Sequence, residues 1–219
     1  MCGRFALTAT ADQVAATFGL QAVPSFPPRY NIAPSQPIAV VRQLQNSQSP
    51  EFRLMQWGLI PRWAKDPSIG SKLINARCET AHEKPSFRSA FKYRRCLIPA
   101  SGFYEWQKVD KGSKQPYYFH LKNDQAFAFA GLWESWHDIE TCIILTTQPN
   151  EVVAPIHQRM PVIISADNYP VWLDFDMQTP SHLFYLFDPD LVQGLSALPV
   201  KTLVNNPTVD SPECIEPAL

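Results

Sequence analysis

The 219-residue chain lacks the features that mark zinc-binding, membrane-spanning and secreted proteins. Its five cysteines form no CxxC pair and no Cys/His pair at zinc spacing, and such an odd, scattered set is typical of reduced thiols. No apolar run approaches the roughly 20 residues that a membrane-spanning helix needs, and the N-terminus has no basic-then-apolar signal pattern. We therefore expect a cytoplasmic protein with no metal and no membrane contact.

The chain also lacks the short motifs of four common enzyme classes. It contains no GxGxxG, no Walker A segment, no GxSxG and no HExxH. Dinucleotide-dependent, P-loop, esterase-type and zincin activities therefore have no support in the sequence, and no cofactor is predicted.

Glycine is scarce, with 8 residues against 21 prolines, and both are spread along the chain. This composition, without a repeat, a low-complexity tract or an obvious linker, predicts short elements joined by many ordered loops. The length fits one large domain or two small ones, and it is sufficient to bury a full core.

Acidic and basic residues are unevenly distributed, although the net charge is only −1. Residues 1–100 hold 13 Lys and Arg against 5 Asp and Glu, whereas residues 101–219 hold 6 against 15. This asymmetry suggests one basic face, and arginine suits bidentate contacts with phosphate. Alternatively, the two halves interleave in space and neutralise each other. A DNA-binding chain of this kind would be associated with the nucleoid.

Helix signals occur at several positions. Thr10 to Gln13 has the pattern of a capping box and Gly19 that of a stop, which predicts a helix near 11–18. Further caps are predicted at Ser86, Asn150 and Ser165, and Pro180 suits the first turn of another helix. The corresponding helices are predicted at 87–93, 151–155, 166–173 and 180–187.

Strands dominate the rest of the pattern. Segments 37–42 and 52–57 are predicted to pair, and Asp110 to Gly112 is a predicted hairpin turn. Short aromatic or β-branched segments separated by polar turns predict five more strands, at 95–99, 102–108, 116–122, 125–133 and 141–147. The expected fold is α+β, with a mainly antiparallel, closed or nearly closed β-barrel-like core and short peripheral helices.

Cys2 is the first candidate functional residue. If Met1 is removed, Cys2 carries a thiol and a free α-amine on neighbouring atoms. The amine can condense with an aldehyde to an imine, and the thiol can then close a five-membered thiazolidine ring. Reference pKa values of about 8 for the amine and about 8.5 for the thiol leave both groups partly reactive near neutral pH. The alternative is that position 2 holds an arbitrary residue beside the start site.

Glu105 and His157 are candidates for proton transfer. Glu105 lies within an aromatic strand, where desolvation would raise its pKa and make it a usable proton donor and acceptor. The alternative is a strand residue that faces solvent. His157 lies in a loop, and histidine is the side chain that titrates near neutrality. From spacing alone, a structural or solvated role is favoured for His157, because a lone histidine in a loop more often has one.

Two further groups of residues suggest binding. The amide of Asn75 can donate and accept in a polar pocket, with Arg77 on the same side of an extended segment, although an Asn turn before a helix explains the pattern as well. Residues 29–34 and 57–63 place arginine beside aromatic residues and proline. Such surfaces can stack on exposed bases while contacting phosphates, or they can form an ordinary core edge. Within them, Trp57 suits the core and Trp63 suits an exposed position.

Taken together, these segments resemble the SRAP family (SOS response-associated peptidase), the abasic-site processing proteins of bacteria and eukaryotes. The matching blocks occur in family order between residues 1 and 161: Met1 to Phe5, Arg29 to Pro34, Trp57 to Pro61, Ile74 to Thr80, Arg95 to Trp106, Thr146 to Thr147 and His157 to Pro161.

The resemblance implies one SRAP domain over 1–219 that forms a covalent cross-link to abasic sites in single-stranded DNA. Nothing in the sequence suggests an obligate assembly, so we expect a monomer. It implies that Cys2 is the cross-linking nucleophile and that Asn75, Glu105 and His157 complete the active site. It also implies phosphate contacts by arginine and a base-contacting edge of proline and tryptophan. The residues concerned are Arg4, Arg77, Arg159, Pro34 and Trp63. Some relatives carry a second aromatic residue where this chain has Ala64, so a wedge at a duplex junction would be weaker here.

Rival functions remain open from the residues alone. Glutamine amidotransferases also begin Cys-Gly after processing, but the loops that would bind a glutamine side chain are absent here. A cysteine peptidase agrees with the family's name, and a lyase activity agrees with an imine intermediate. A non-enzymatic module that binds single strands would need only the basic face and the Trp/Pro edge.

Overall fold

The computed structural model describes residues 2–45, 47–109, 112–122 and 125–218, so Met1 and the predicted turn residues Asp110 and Lys111 lie outside the described residues. The strands within these ranges are β1 (Phe5–Leu7), β2 (Arg29–Ile32), β3 (Pro37–Arg42), β4 (Glu51–Trp57), β5 (Asn75–Arg77), β6 (Arg95–Ala100), β7 (Gly102–Lys108), β8 (Lys114–Leu121), β9 (Phe127–Trp136), β10 (Ile139–Thr147), β11 (Met160–Pro161), β12 (Ile163–Ile164) and β13 (Leu195–Pro199). The α-helices are α1 (Ala11–Phe18), α2 (Cys78–Ala81), α3 (Arg88–Tyr93) and α4 (Tyr169–Leu173). Short 3₁₀ helices cover Pro67–Lys72, Ala166–Asn168, Pro180–Phe187, Pro189–Leu191, Thr202–Asn205 and Pro212–Ile215.

Five strands close into a barrel, as the sequence predicted. The order is β10, β4, β3, β6, β9 and back to β10. Every pairing in this ring is antiparallel except that of β10 with β4, where Thr141 lies opposite Gln56 and Cys142 opposite Trp57. Closure removes the open edges of the sheet, and its interior forms the main hydrophobic core.

A second, antiparallel sheet brings the N-terminus beside the middle of the chain. Its order is β13, β8, β7, β1 and β2. Strand β1 pairs with β7 through Phe5 opposite Phe103, and the Tyr104 amide donates to the Arg4 carbonyl at 3.0 Å. The Phe5 ring makes edge contacts with Trp57 at 5.3 Å and Phe129 at 5.6 Å. Burial of this ring anchors β1, and therefore Cys2, against the barrel.

Most predicted elements are present, but the helix prediction is wrong in several details. The side chain of Ser165 makes no capping hydrogen bond, only 169–173 of the predicted 166–173 is α-helical, and 180–187 is a 3₁₀ helix. Helix α1 has the expected Thr10 capping box and a left-handed Gly19 at its end. Helix α3 starts at Arg88 with Phe87 as its N-cap, so Ser86 is not the cap. Residues 151–156 form turns rather than a helix, although the Asn150 side chain accepts hydrogen bonds from two following amides as a cap does.

Asn31 on β2 connects the C-terminal segment, residues 204–209, to the N-terminal strands through hydrogen bonds. This side chain is fully buried and donates to the carbonyls of Val204, Asn206 and Val209 at 3.2, 3.0 and 2.7 Å. Its carbonyl oxygen accepts a hydrogen bond from the Arg4 guanidinium at 2.8 Å. Since all these polar groups are paired, the connection is specific and costly to break.

Replacing Asn31 with alanine should lower the free energy of unfolding by about 3 kcal/mol, because buried carbonyls and the Arg4 guanidinium lose their partner. Urea denaturation measures the change. The matched control is Asn168→Ala, which removes two exposed hydrogen bonds, one donated to Ser165 and one accepted from Tyr185, and should cost no more than about 1 kcal/mol. Equal losses in the two variants would contradict the role given to Asn31.

Candidate active site

Cys2 lies at the centre of the candidate site. It has 0% of its surface exposed, and its Sγ is 3.8 Å from the Arg4 carbonyl oxygen. Burial raises the pKa of the thiol well above its ordinary value, and the charge of Glu105 acts in the same direction. In this arrangement the sulfur is therefore held as a thiol, and ionisation requires a proton acceptor close by.

Asn75 fixes the backbone of Cys2. Its amide nitrogen donates to the Cys2 carbonyl oxygen at 2.7 Å. Strand β5, which carries Asn75, lies parallel to β10 with Asn75 opposite Ile144. The indole nitrogen of Trp57 donates to the Ile74 carbonyl at 2.9 Å, and this holds the start of the strand. Asn75 is thus a positioning group for Cys2 in this structure.

The loop between β4 and β5 is closed by two glycines. Gly58 has a φ of +133°, and a Cβ there would lie 2.6 Å from the Gly70 carbonyl oxygen. Only glycine fits such a close approach of two backbone segments. The close contact between Gly58 and Gly70 fixes the loop of residues 59–73, and the strand that begins at Asn75 follows this loop.

Glu105 is buried on β7, with 3% of its surface exposed. Burial raises the pKa of its carboxyl group, and the nearby His157 opposes that rise. The carboxyl group therefore keeps its proton to a higher pH than an exposed glutamate does, which suits a group that gives and takes protons. The sequence prediction of a desolvated carboxyl group at this position agrees with the structure.

His157 reaches Glu105 from the turns at 151–156. Its Nδ1 lies 3.6 Å from Glu105 Oε1 and 2.9 Å from the Arg159 carbonyl oxygen. Gln107 lies two residues after Glu105 on β7, and its side-chain amide nitrogen donates to the Pro155 carbonyl oxygen at 3.2 Å. This bond ties the turns to the strand, so His157 faces the buried carboxyl group.

The three predicted phosphate contacts have different surroundings. Arg77 is exposed, and no hydrogen bond or ion pair fixes its guanidinium within the described part of the chain. Arg4 donates to Asn31 at 2.8 Å and to the Val204 carbonyl at 2.7 Å, and burial lowers its pKa. Arg159 forms a bidentate ion pair with Glu79 at 2.6 and 2.9 Å. Arg77 thus has the greatest freedom to bind an added anion.

Arg77 and Arg159 both line a cavity of about 480 Å³. The other residues that line it are Gln148, Pro149, Ala154 and Gln158. Polar amides beside two guanidinium groups provide hydrogen-bond donors of the kind that phosphate oxygens accept.

Pro34 and Trp63, the predicted base-contacting residues, lie at the surface. Pro34 is half-buried, whereas 60% of the Trp63 surface is exposed, an unusually large fraction for this residue type. A second cavity of about 480 Å³ borders Trp63 and includes Lys65 and Lys72. The predicted assignment of Trp57 to the core agrees with its complete burial.

Within the described ranges, no group of three or more His, Cys, Asp or Glu residues is arranged to hold a metal ion. Over the same ranges, none of the helices has the length and apolar character needed to span a membrane.

Comparison with known proteins decides the family. The family model described as SOS response associated peptidase (SRAP) matches residues 1–207. The chain belongs to the SRAP family. Among its SRAP relatives is the abasic site processing protein YoqW of Bacillus subtilis, 44% identical over 99% of both chains. Another is the abasic site processing protein HMCES of Xenopus tropicalis, which is 30% identical over 98% of this chain and 78% of its own length.

Solved structures agree with the SRAP assignment at the level of the fold. A protein from Bacteroides thetaiotaomicron superposes with a TM-score of 0.87 at 26% identity, and the match covers all of both chains. A phage-related protein from Bordetella bronchiseptica gives 0.72 at 26% identity over 91% of this chain and 94% of its own. A match across the whole chain supports one continuous domain.

Local sequence patterns indicate no role for two residues that contact predicted site residues: Asn31 binds Arg4, and Glu79 pairs with Arg159. Both residues lie inside the motif blocks that carry the family resemblance. The available signal was only their place in those blocks, because their partners Val204 and Arg159 are 173 and 80 residues away.

Proposed function

We propose that this protein captures abasic sites in single-stranded DNA covalently through Cys2. The observation that carries the proposal is the convergence of four groups from distant segments. Asn75 holds the Cys2 backbone, the charge of Glu105 acts on the Cys2 thiol, and His157 lies 3.6 Å from Glu105. The names of the relatives, abasic site processing proteins, support the handling of abasic sites.

The reaction begins with the sugar. An abasic sugar exists mostly as a closed hemiacetal, and Glu105 with His157 moves the proton that opens it to the aldehyde. The α-amine of Cys2 then attacks C1′, and loss of one water gives an imine. For this step Cys2 must be the N-terminal residue, because only a free α-amine can form the imine.

Ring closure then makes the adduct durable. The Cys2 sulfur bonds to C1′, the C=N bond becomes single, and the thiol proton ends on the ring nitrogen, so atoms balance. Because the thiol is held protonated by burial, Glu105 serves as the carrier for that proton. Amine and thiol share one residue, so closure is intramolecular and fast. Trapping the imine also prevents β-elimination, which would cut the strand.

The DNA strand is bound by charge rather than by sequence. Arg77 binds a phosphate in the cavity that it lines together with Arg159. Arg4 and Arg159 add positive charge. Pro34 and Trp63 contact neighbouring bases. Abasic DNA offers no base to read, so sequence preference is weak. We propose that the protein acts as a monomer in the cytoplasm, associated with the nucleoid.

Arg77→Ala should weaken binding of a single-stranded oligonucleotide and reduce the slope of log K against log salt by about 0.7, the value for one lost phosphate contact. The matched control is Arg88→Ala, which removes the same charge from an exposed position on α3 that does not line the cavity. Fluorescence anisotropy between 50 and about 200 mM salt measures both slopes. An unchanged slope for the Arg77 variant would remove this residue from the interface.

A denaturing gel with an abasic oligonucleotide tests the proposed function. The expected result is a shifted, heat-stable band that requires both the abasic site and Cys2. Release of ammonia from glutamine without such a band would favour the amidotransferase-like hydrolase, and peptide cleavage without it would favour the peptidase. Binding of the oligonucleotide with no covalent band would reduce the protein to a binding module.

A further inference from the structure

Three hydrogen bonds fix the guanidinium of Arg159. Its Nη1 and Nη2 donate to the two carboxylate oxygens of Glu79 at 2.6 and 2.9 Å. Nη2 also donates to the Thr146 carbonyl oxygen at 2.6 Å. This guanidinium therefore joins α2 to β10, and only 13% of its side chain is exposed.

The backbone of Arg159 holds the imidazole of His157. The Arg159 carbonyl oxygen lies 2.9 Å from His157 Nδ1, and the Arg159 amide lies 3.1 Å from the same nitrogen. The Nδ1 atom is also the one that lies 3.6 Å from Glu105 Oε1. The position of Arg159 thus sets the orientation of the ring toward the buried carboxyl group.

Glu79 is the first residue in this series of contacts, which runs through Arg159 to His157. Partial burial acts to raise its pKa, but the hydrogen bonds and charge of Arg159 outweigh that effect and lower it. A bidentate pair between arginine and a carboxylate adds geometric restraint beyond a single contact. Without Glu79, the Arg159 side chain keeps only its bond to the Thr146 carbonyl among these contacts.

We propose that Glu79 is a positioning residue, which fixes Arg159 and through it holds His157 against Glu105. This inference rests on the proposed function, because it assigns His157 and Glu105 to proton transfer. It gives Arg159 a structural task in addition to any contact with phosphate. Glu79 itself touches neither the sugar nor Cys2.

The test separates the rate of cross-linking from DNA affinity. Single-turnover cross-linking at saturating abasic oligonucleotide should be at least about tenfold slower for Glu79→Ala, as expected when a proton-transfer group is misplaced. Affinity for the same oligonucleotide without an abasic site should be equal or higher, because the variant lacks the negative charge that pairs with Arg159 in the wall of the cavity. Glu79→Gln keeps one acceptor for Arg159 and should recover most of the rate, within about threefold of the unaltered protein.

Glu83→Ala is the matched control, because it removes an equal charge just after α2 from an exposed side chain that does not contact Arg159. It should leave the cross-linking rate unchanged. A Glu79→Ala variant with unaltered or faster cross-linking would overturn the proposal, as would a parallel loss of rate and affinity in both Glu79 variants. If the unaltered protein forms no adduct, the proposed function fails instead.

Discussion

Replacing Cys2 with alanine should lower the yield of heat-stable adduct with abasic DNA by about a thousandfold or more, since an intramolecular ring closure is lost. The variant keeps a free α-amine after removal of Met1, so it can still form an imine. That imine reverses or undergoes β-elimination, and we expect residual cleavage of the strand. A denaturing gel with a strand labelled at one end measures adduct and cleavage together.

Cys96→Ala is the matched control for the loss of a buried thiol. Cys96 is also fully buried, and burial raises its pKa well above the ordinary value, but it lies on β6 and has no part in the proposed chemistry. This variant should form the adduct at the rate of the unaltered protein. A heat-stable adduct formed by the Cys2→Ala variant would rule out a thiazolidine.

Glu105→Gln should slow cross-linking by about 100- to 10,000-fold, the range for removal of a general acid–base group. The amide has nearly the same shape but cannot carry the proton from the hemiacetal or from the Cys2 thiol. Binding of an oligonucleotide without an abasic site should be unaffected. Rapid-quench measurement of adduct formation against time provides the rate.

The same variant should be more stable than the unaltered protein at alkaline pH. Burial raises the folded-state pKa of Glu105 above the ordinary 4.5, so folding favours the protonated carboxyl group. The stability that the protonated Glu105 carboxyl group gives the folded protein is fully present below the unfolded-state pKa, and it is lost as the pH rises through the folded-state pKa. The gain from glutamine should therefore grow with pH over this interval and be absent well below pH 4.5.

Thermal unfolding at several pH values measures this gain. Glu151→Gln makes the same chemical change at an exposed position and should show no such increase with pH. A Glu105→Gln variant that loses stability at alkaline pH would indicate that the carboxylate is stabilised in the folded protein, contrary to its burial. An unchanged cross-linking rate would remove Glu105 from the mechanism.

Local signals in the sequence predicted much of the fold. The Thr10 capping box and Gly19 contain all the information needed for α1, because the bonds they make lie within ten residues. Alternation and β-branching likewise predicted the barrel strands. Ser86 is not the cap because α3 begins two residues later, at Arg88, with Ala90 and Phe91 as its buried residues.

The arrangement of the site depended on contacts that no local pattern contains. The burial of Glu105 was predictable, since a carboxyl group between aromatic residues on a strand is expected to be desolvated. The contact of Asn75 with the Cys2 carbonyl spans 73 residues, and that of Arg4 with Val204 spans 200. Family motifs identified these positions, but the structure was needed to show that Arg4 is bound to the C-terminal segment.

Intact-mass spectrometry of the protein before and after incubation with an abasic oligonucleotide tests the central claim most directly. The account predicts a starting mass without Met1, and a product heavier by one oligonucleotide minus one water, with the bond located at Cys2. A protein that retains or acetylates its N-terminal methionine, or that gains no mass, would contradict it.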